Sequence, residues 1–268
     1  MKTDVFDAEG RKIGKIDLPP IFDTPVKPDV IKRAVLAEHS WSRQPYGSDK
    51  MAGKRTSAHY HGSRSARYTM MNREMSRMAR IHSSGHLFFR ARFVPQAVKG
   101  RRAHPPKAEK NWAEKINKKE YELAIKSALA ATADLTFVKA RGHKIDNIDS
   151  MPIVLDINNI KKTKEFFALL KKIGLEEELK RCKKKKIRPG KGKNRGRPYK
   201  KKKGPLIIVE EGSEILKCGK NIAGVDICTP TNLTVEKLAP GASLGRLLII
   251  TKRALDELKN SFLSGEAS

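Results

Sequence analysis

Short apolar runs mark the predicted strands of this chain. At the start, Val5–Phe6 and Ile13–Ile16 flank Glu9–Gly10, a pattern that predicts a β-hairpin. Further along, runs that are apolar nearly throughout predict strands that are buried on both faces of a sheet. These four runs are Met151–Ile157, Pro205–Val209, Ala223–Cys228 and Leu247–Ile250.

Apolar residues spaced three or four positions apart predict four helices. The first extends from about Pro28 to Trp41, because Pro28 and Asp29 suit a first helical turn. Its inner face consists of Ile31, Ala34, Val35 and Glu38. The others are predicted at Lys118–Thr132 with Tyr121, Ile125, Ala128 and Leu129 inward, at Lys161–Ile173 with Phe166, Leu169, Leu170 and Ile173 inward, and after Ile250 with Leu255, Leu258 and Phe262 inward. Strands that alternate with such helices indicate an α/β fold, a mostly parallel Rossmann-like sheet flanked by helices.

Residues 40–108 lack this periodicity and contain many glycines and prolines. A stretch of this length without regular elements is rare inside a compact domain, and it indicates a functional or disordered segment. As a hairpin of two extended arms it would reach about 100 Å, at about 3.3 Å per residue. We therefore predict a globular body, formed by residues 1–39 and 109–268, and a long extended internal loop, formed by residues 40–108.

Within this loop, methionines and arginines recur at helical spacing. The methionines Met71, Met75 and Met78 would share one helical face, and the arginines Arg73, Arg77 and Arg80 the nearly opposite one. This pattern predicts a short helix whose arginine face is directed at a polyanion.

Positive charge is concentrated in two segments of the chain. The whole sequence has 57 Lys and Arg against 29 Asp and Glu, a net charge of +28. Residues 40–108 contain 15 of the basic residues and two acids, and residues 181–203 contain 14 and none, so together they carry +27. A surface that is merely soluble mixes both signs. The exclusion of acids therefore favours a polyanionic partner over a solvated face or a disordered tail, and residues 181–203 are predicted to form a second basic insertion.

The composition of the two segments indicates RNA. In the loop, arginines are interleaved with aromatic residues and glycines. Arginine side chains match the geometry of phosphates, aromatic rings stack on splayed bases, and glycines allow the backbone to approach RNA closely. The second segment is rich in lysine, which suits charge neutralisation. The predicted RNA-binding residues are Arg43, Lys54, Arg55, Arg64, Arg67, Arg90, Arg92, Lys99, Arg101, Arg102 and Lys107 in the loop, and Lys183, Lys184, Lys185, Lys186, Arg188, Lys191, Lys193, Arg195 and Arg197 in the second segment.

Other classes of site are disfavoured by spacing. The glycines of residues 190–196 match neither of the common nucleotide-binding motifs, so no cofactor is expected. His59 with His61, or His82 with His86, could pair on a metal, but no carboxylate or cysteine cluster joins them, so RNA contacts are favoured and no metal is predicted. No nucleophile has a patterned base, so no catalytic residue is predicted.

Cysteine usage indicates a reducing compartment, and the hydropathy of the sequence predicts no membrane-spanning segment. The three cysteines have no CxxC spacing, which argues against a zinc ribbon or a disulfide framework. No run of about 18 apolar residues is present to span a bilayer. The N-terminus, MKTDVFDAEG, does not have the pattern of a secretory signal.

Seven residue strings carry a specific resemblance, in order, over nearly the whole chain. They are VKGRRAHPPKAEK (98–110), SALAATAD (127–134), RGHKID (141–146), IKKTKEFFALLKKIG (160–174), IRPGKGKNRGRPYKKKKGPLIIVEE (187–211), KNIAGVDI (220–227) and LAPGASLGRL (238–247). They resemble the family of ribosomal protein four of the large subunit, in its archaeal and eukaryotic branch, and most of all its archaeal members.

The resemblance implies a structural, non-enzymatic constituent of the large ribosomal subunit in the cytoplasm, which binds large-subunit rRNA and supports its assembly. In that family a long internal loop enters the RNA, and its tip helps to form the wall of the nascent-peptide exit tunnel. The tip is then expected within Gly62–Phe89. Arg64 and Arg67 follow Gly62 and are expected to line the tunnel. The implied partners are rRNA, neighbouring large-subunit proteins and the nascent polypeptide, with no membrane and no small-molecule substrate.

Two alternatives from other classes remain at this point. An α/β enzyme that acts on RNA would need carboxylates or a metal near the basic segments, which are nearly free of acids. A regulatory RNA-binding protein outside the ribosome would use similar residues, and co-sedimentation with ribosomes in high salt distinguishes the two.

Overall fold

The computed structural model describes residues 1–82, 84–145, 148–157 and 160–263, with side chains described as far as residue 260. The chain forms two compact units. The first, called the body, consists of Met1–Trp41 and the chain from Glu114 onward. The second, called the insert, is Ser42–Ala113.

The body contains the regular elements. Its strands are β1 Lys2–Asp7, β2 Lys12–Asp17, β3 Ile153–Asp156, β4 Lys186–Ile187, β5 Tyr199–Lys200, β6 Leu206–Ile208, β7 Asp226–Cys228 and β8 Leu248–Thr251. Its α-helices are α1 Pro28–Trp41, α2 Lys118–Ala133, α3 Leu135–Ala140, α4 Thr163–Leu170, α5 Glu176–Lys183, α6 Ile215–Cys218, α7 Val235–Leu238 and α8 Lys252–Leu263. Short 3₁₀ turns lie at Pro20–Asp23, Lys191–Asn194, Gly219–Asn221 and Pro240–Ala242.

Six strands form one sheet in the order β2-β1-β3-β8-β6-β7. The hairpin of β1 and β2 is antiparallel, and every other pair in the sheet is parallel. Central strands pair apolar residues, for example Ile207 with Ile249. The predicted α/β fold with a mostly parallel sheet is therefore confirmed, as are the N-terminal hairpin and the four apolar strands.

The sheet is covered on both faces, which explains why its strands are apolar nearly throughout. Val154, Leu206 and Ile250 pack on one side in a cluster that includes residues of α1, α2 and α8. Their neighbours, such as Leu155 and Ile207, pack on the other side in a cluster that includes residues of α4 and α5. The predicted inner faces of α1, α2 and α4 are confirmed, whereas the side chain of Phe262 lies outside the described residues.

Four helices, α3, α5, α6 and α7, are missing from the sequence prediction. The predicted helix Lys161–Ile173 ends its α-helical part at Leu170 and continues as a π-turn, Lys171–Leu175, in which Gly174 has a φ of 100°. Glycine adopts this conformation at little cost, so it allows the chain to change direction before α5 begins.

A buried acid joins three helices of the body. Glu38 of α1 accepts hydrogen bonds from the backbone N–H groups of Val235 and Glu236, at 2.8 and 2.7 Å, and one from the Tyr121 hydroxyl. It thus supplies acceptors for two N–H groups in the first turn of α7, while the Thr234 hydroxyl accepts from a third, that of Lys237. The acid on the apolar face of α1 is a cap for another helix.

The body also joins the two points where the chain leaves it and returns. The backbone N–H of Glu114 donates to the Ser40 hydroxyl at 2.9 Å, and the Trp41 indole N–H donates to the Glu114 carbonyl at 2.7 Å. Trp41 lies at the end of α1, which packs against α2. The ends of the insert are therefore held together by contacts within the body.

Candidate nucleic-acid interface

The insert has very little interior of its own. Among its described residues there is no helix and no strand, only isolated bridges from Arg80 to His59 and to Ala91. Its buried apolar side chains in the described range are Met70 and Ile81. Burial of two side chains offsets little of the entropy cost of ordering a segment of this length.

The predicted short helix of methionines and arginines is wrong. Asn72 has a left-handed φ of 56°, which a helix does not tolerate, and Arg80 is paired in the two bridges. Met75 is 39% exposed, so the methionines do not form a buried stripe. Helical spacing misled the prediction because the segment folds around β-bridges and turns.

The backbone of the insert is strained. Positive φ values occur at Tyr68, Asn72, Phe89, Phe93 and Lys99, five of the six such non-glycine residues in the described chain. For a bulky L-residue this conformation costs about 1 kcal/mol or more. Favourable contacts elsewhere must offset this cost.

Aromatic rings of the insert carry cations on their faces. The Arg67 guanidinium lies 4.7 Å from the centroid of Tyr68, and that of Arg73 lies 5.2 Å from the centroid of Phe89. Trp112 is stacked on Tyr46 at 4.9 Å, with Arg43 5.1 Å from its centroid. Stacking holds a guanidinium plane while leaving its N–H groups free for phosphate.

Three histidines of the insert lie in ring contact. The centroids of His59, His61 and His82 are 4.4 to 4.6 Å apart. Burial lowers the pKa of His82, and the nearby His59 and His61 lower it further. The sequence analysis treated His59 with His61, and His82 with His86, as separate possible pairs. The structure instead brings His82 to the first pair, and His86 is exposed outside the cluster.

Most of the predicted RNA-binding cations of the insert point to solvent. Arg92 and Arg101 are half-buried. Arg55 forms an ion pair with Asp49, and its hydrogen bond lowers the pKa of that carboxyl. The exposed ones are Arg43, Lys54, Arg55, Arg64, Arg67, Arg90, Lys99, Arg102 and Lys107. Within the described insert, Arg55 alone of these predicted residues is paired with an acid.

The second basic segment forms a small antiparallel hairpin, called the basic hairpin, from β4 and β5. Lys186 is directly opposite Lys200 in this pairing, and Ile187 is opposite Tyr199. Like charges in this position are destabilising by themselves. The predicted residues Lys183, Lys184, Lys185, Lys186, Lys191, Lys193, Arg195 and Arg197 are exposed, and Arg188 is half-buried. In the part of the chain that the structure describes, no carboxylate forms an ion pair with a cation between Lys183 and Lys202.

Charged side chains, one of them fully buried, hold the base of the basic hairpin. Arg246 is fully buried, and it donates to the Gly204 carbonyl at 2.8 Å and to Asp226 at 2.6 Å. Burial lowers the pKa of Arg246, and the carboxylate of Asp226 opposes this shift. Arg181 donates to the Lys203 carbonyl at 2.8 Å.

Gly204 also permits a close approach at this base, because a Cβ there would lie 2.5 Å from the Cys182 sulfur. The sequence prediction missed these residues. The available signal was Asp226 inside one apolar strand and Arg246 immediately before another.

The chain is similar to known proteins over nearly its whole length. The model of the ribosomal protein L4/L1 family matches residues 16–261. The chain is 51% identical to the large ribosomal subunit protein uL4 of Nanoarchaeum equitans over 97% of the chain and 98% of that protein. It is 43% identical to the uL4 of Methanosphaera stadtmanae, over 97% of each, and 45% identical to that of Saccharolobus solfataricus, over 95% of the chain and 92% of that protein. Of the described helices, none combines the length and apolar character needed to cross a bilayer.

Proposed function

Because the chain belongs to the ribosomal protein L4/L1 family, whose members are structural and non-enzymatic components of the large ribosomal subunit, we propose that its two cation-rich segments bind large-subunit rRNA. In this proposal residues 40–108 are a loop that enters the RNA, and residues 181–203 are a basic rRNA-binding insertion of the α/β body. The cations neutralise phosphates that a compact RNA brings together, so the protein supports assembly of the subunit.

One observation carries the proposal: the exposed cations of the basic hairpin have no acidic partners among the described residues, and two of its lysines face each other. A fold that places Lys186 opposite Lys200 gains stability when an anion lies between or beside them. The exposed Ile187 and Tyr199, at 70% and 46%, add an apolar surface on which a base or sugar can pack.

The insert supports the proposal in a different way. Its interior is nearly absent and its backbone is strained, so a surrounding polyanion is the source of order that its composition fits. Arg64 and Arg67 are exposed, and they lie at the start of the predicted tip. We propose that these two arginines line the wall of the nascent-peptide exit tunnel, as the family resemblance implies, where they would meet the nascent chain.

Limited proteolysis tests this division of the chain. We expect a protease specific for Lys and Arg to cut the free protein within residues 45–105 and to leave a folded body. In assembled large subunits the same stretch should be protected. Equal cleavage rates in the two states would contradict the proposal that RNA orders the loop.

Co-sedimentation separates the structural function from RNA binding elsewhere in the cell. A structural component remains in the large subunit when salt is raised enough to release loosely bound proteins, because many of its cations are enclosed by RNA. A regulatory RNA-binding protein would instead leave the particle at that salt concentration, and this outcome would refute the assignment of the chain as an integral component.

A further inference from the structure

Two separate segments of the insert place histidines at one point. The backbone N–H and carbonyl groups of His59 and Arg80 pair with each other, at 3.2 and 3.1 Å, and so hold the two segments side by side. His61 follows His59 by two residues, which in extended backbone directs both side chains to the same face. His82 follows Arg80 by two residues on the neighbouring segment. One nitrogen of each of these three imidazoles lies within 4.8 Å of the other two.

The distances suit a shared metal ion. Nε2 of His61 and Nδ1 of His82 are 3.1 Å apart. Two nitrogens bound to a tetrahedral Zn²⁺ at about 2.0–2.1 Å each are themselves about 3.3 Å apart, so this pair is already close to the required separation. Because the three nitrogens all lie within 4.8 Å of one another, the widest separation needs to close by at most about 1.5 Å to reach the same value, which side-chain rotation in a half-exposed site can provide.

The surroundings also suit a metal. Nδ1 of His59 lies 2.9 Å from the Ser57 carbonyl oxygen, to which it donates as N–H, and this leaves the lone pair of Nε2 available. The ring of His82 is stacked against Tyr68 at 5.3 Å and lies 5.8 Å from Phe89, so apolar rings flank the cluster. Nε2 of His82 is buried and has no hydrogen-bond partner in the described structure. This ring therefore makes a single polar contact, the one that a metal would replace.

We propose that His59, His61 and His82 form a binding site for a divalent transition metal, with Zn²⁺ as the preferred ion. Imidazole nitrogen is a good ligand for Zn²⁺, and three such ligands leave a fourth position that a water molecule fills. On binding, the proton shared by the facing nitrogens of His61 and His82 moves to a nitrogen that points away from the metal. Each ring stays neutral, and no other reactant is needed.

The consequence is a cross-link within the insert. The metal fixes the segment of His59 and His61 to that of His82, and it closes the chain between residues 61 and 82 into a loop. This link acts on a unit that has almost no apolar interior, where a metal contributes most to order. The proposal does not depend on RNA binding, because all three ligands belong to the chain itself.

Zinc binding by the purified full-length protein tests the proposal. We expect calorimetry to detect one Zn²⁺ per chain. The single variants His59→Gln, His61→Gln and His82→Gln should each weaken binding by at least about tenfold. The variant His86→Gln is the matched control, since it removes an exposed histidine of the same unit from outside the cluster, and it should bind zinc as the original protein does. X-ray absorption at the zinc edge should show nitrogen and oxygen neighbours only.

Assembled large subunits provide the second measurement, because RNA orders the insert there whether or not the free protein does so. Subunits that contain the original chain should carry one more zinc than those with His61→Gln. The proposal is overturned if the free protein binds no zinc and the two kinds of subunit contain equal amounts of zinc. It is also overturned if the three variants bind zinc as the control does, or if sulfur neighbours show that cysteines hold the metal.

Discussion

The second basic segment, residues 181–203, allows a quantitative prediction of how RNA binding depends on salt. Lys183, Lys184, Lys185 and Lys186 are all exposed, so replacing the four with glutamine removes charge without removing core packing. A cation that neutralises a phosphate contributes about 0.7 to 0.9 to the slope of log K against log salt concentration. Four such contacts contribute about 3 to 3.5.

This slope sets the size of the expected effect. Between 50 and 200 mM salt each contact changes the affinity by about half a logarithmic unit, so four contacts change it by about 100-fold. We expect the original protein to lose affinity for large-subunit rRNA over this range by about 100-fold more than the quadruple variant. If the slope arises from charge, arginine replacements at the same four positions should restore it.

The assay is fluorescence anisotropy of labelled large-subunit rRNA fragments at a series of salt concentrations. The matched control replaces four exposed lysines of the body, Lys15, Lys32, Lys118 and Lys119, with glutamine, which gives the same change in net charge. The control should retain the original slope. If both variants reduce the slope equally, affinity depends on total charge, and the assignment of residues 181–203 as an RNA-binding element is refuted.

Two further predictions concern the body. Glu38→Ala should lower the free energy of unfolding by about 3 kcal/mol, because it leaves the buried N–H of Val235 and that of Glu236 without acceptors. Glu38→Gln should lower it by roughly half as much. Urea titration measures both values, and two unchanged variants would contradict the capping role. Burial by itself would raise the pKa of Glu178, but hydrogen bonds from Arg181 and His143 outweigh it and hold the pKa at about 2, below the ordinary value of 4.5. The resulting contribution to the free energy of unfolding, on the order of 3 kcal/mol, is complete above pH 4.5 and is lost as the pH falls towards 2. Acid unfolding of Glu178→Gln should therefore show a shallower pH dependence in that window than the original protein. Equal pH profiles would exclude this contribution.

The body was predictable because its elements obey local rules. Helix α1 begins at a proline suited to a first turn and carries its apolar residues on one face, so the predicted bounds of Pro28 and Trp41 agree with the structure. The central strands are apolar because both faces of the sheet are covered. By contrast, α5 was missed because it contains few apolar residues, and Leu179 and Cys182 pack inward among acids and lysines.

The candidate interface was predictable in charge but not in geometry. The exclusion of acids from the two segments is visible in the sequence, whereas the pairing of Lys186 with Lys200 depends on the register of a two-residue strand. Likewise, the sequence separates His61 from His82 by 20 residues, and only the backbone pairing of His59 with Arg80 brings them together. Contacts between distant residues have no local signal, so helical spacing alone predicted a helix where the chain forms bridges.

The contact of Glu114 with Ser40 and Trp41 has a consequence for how this chain can change over evolutionary time. Because contacts within the body hold the two ends of the insert together, folding of the α/β core does not depend on the intervening 72 residues. Insertions, deletions or a wholly different tip can then accumulate between Trp41 and Glu114 without disturbing the sheet. The insert can therefore change in sequence as its binding partner changes, while the fold of the body stays the same.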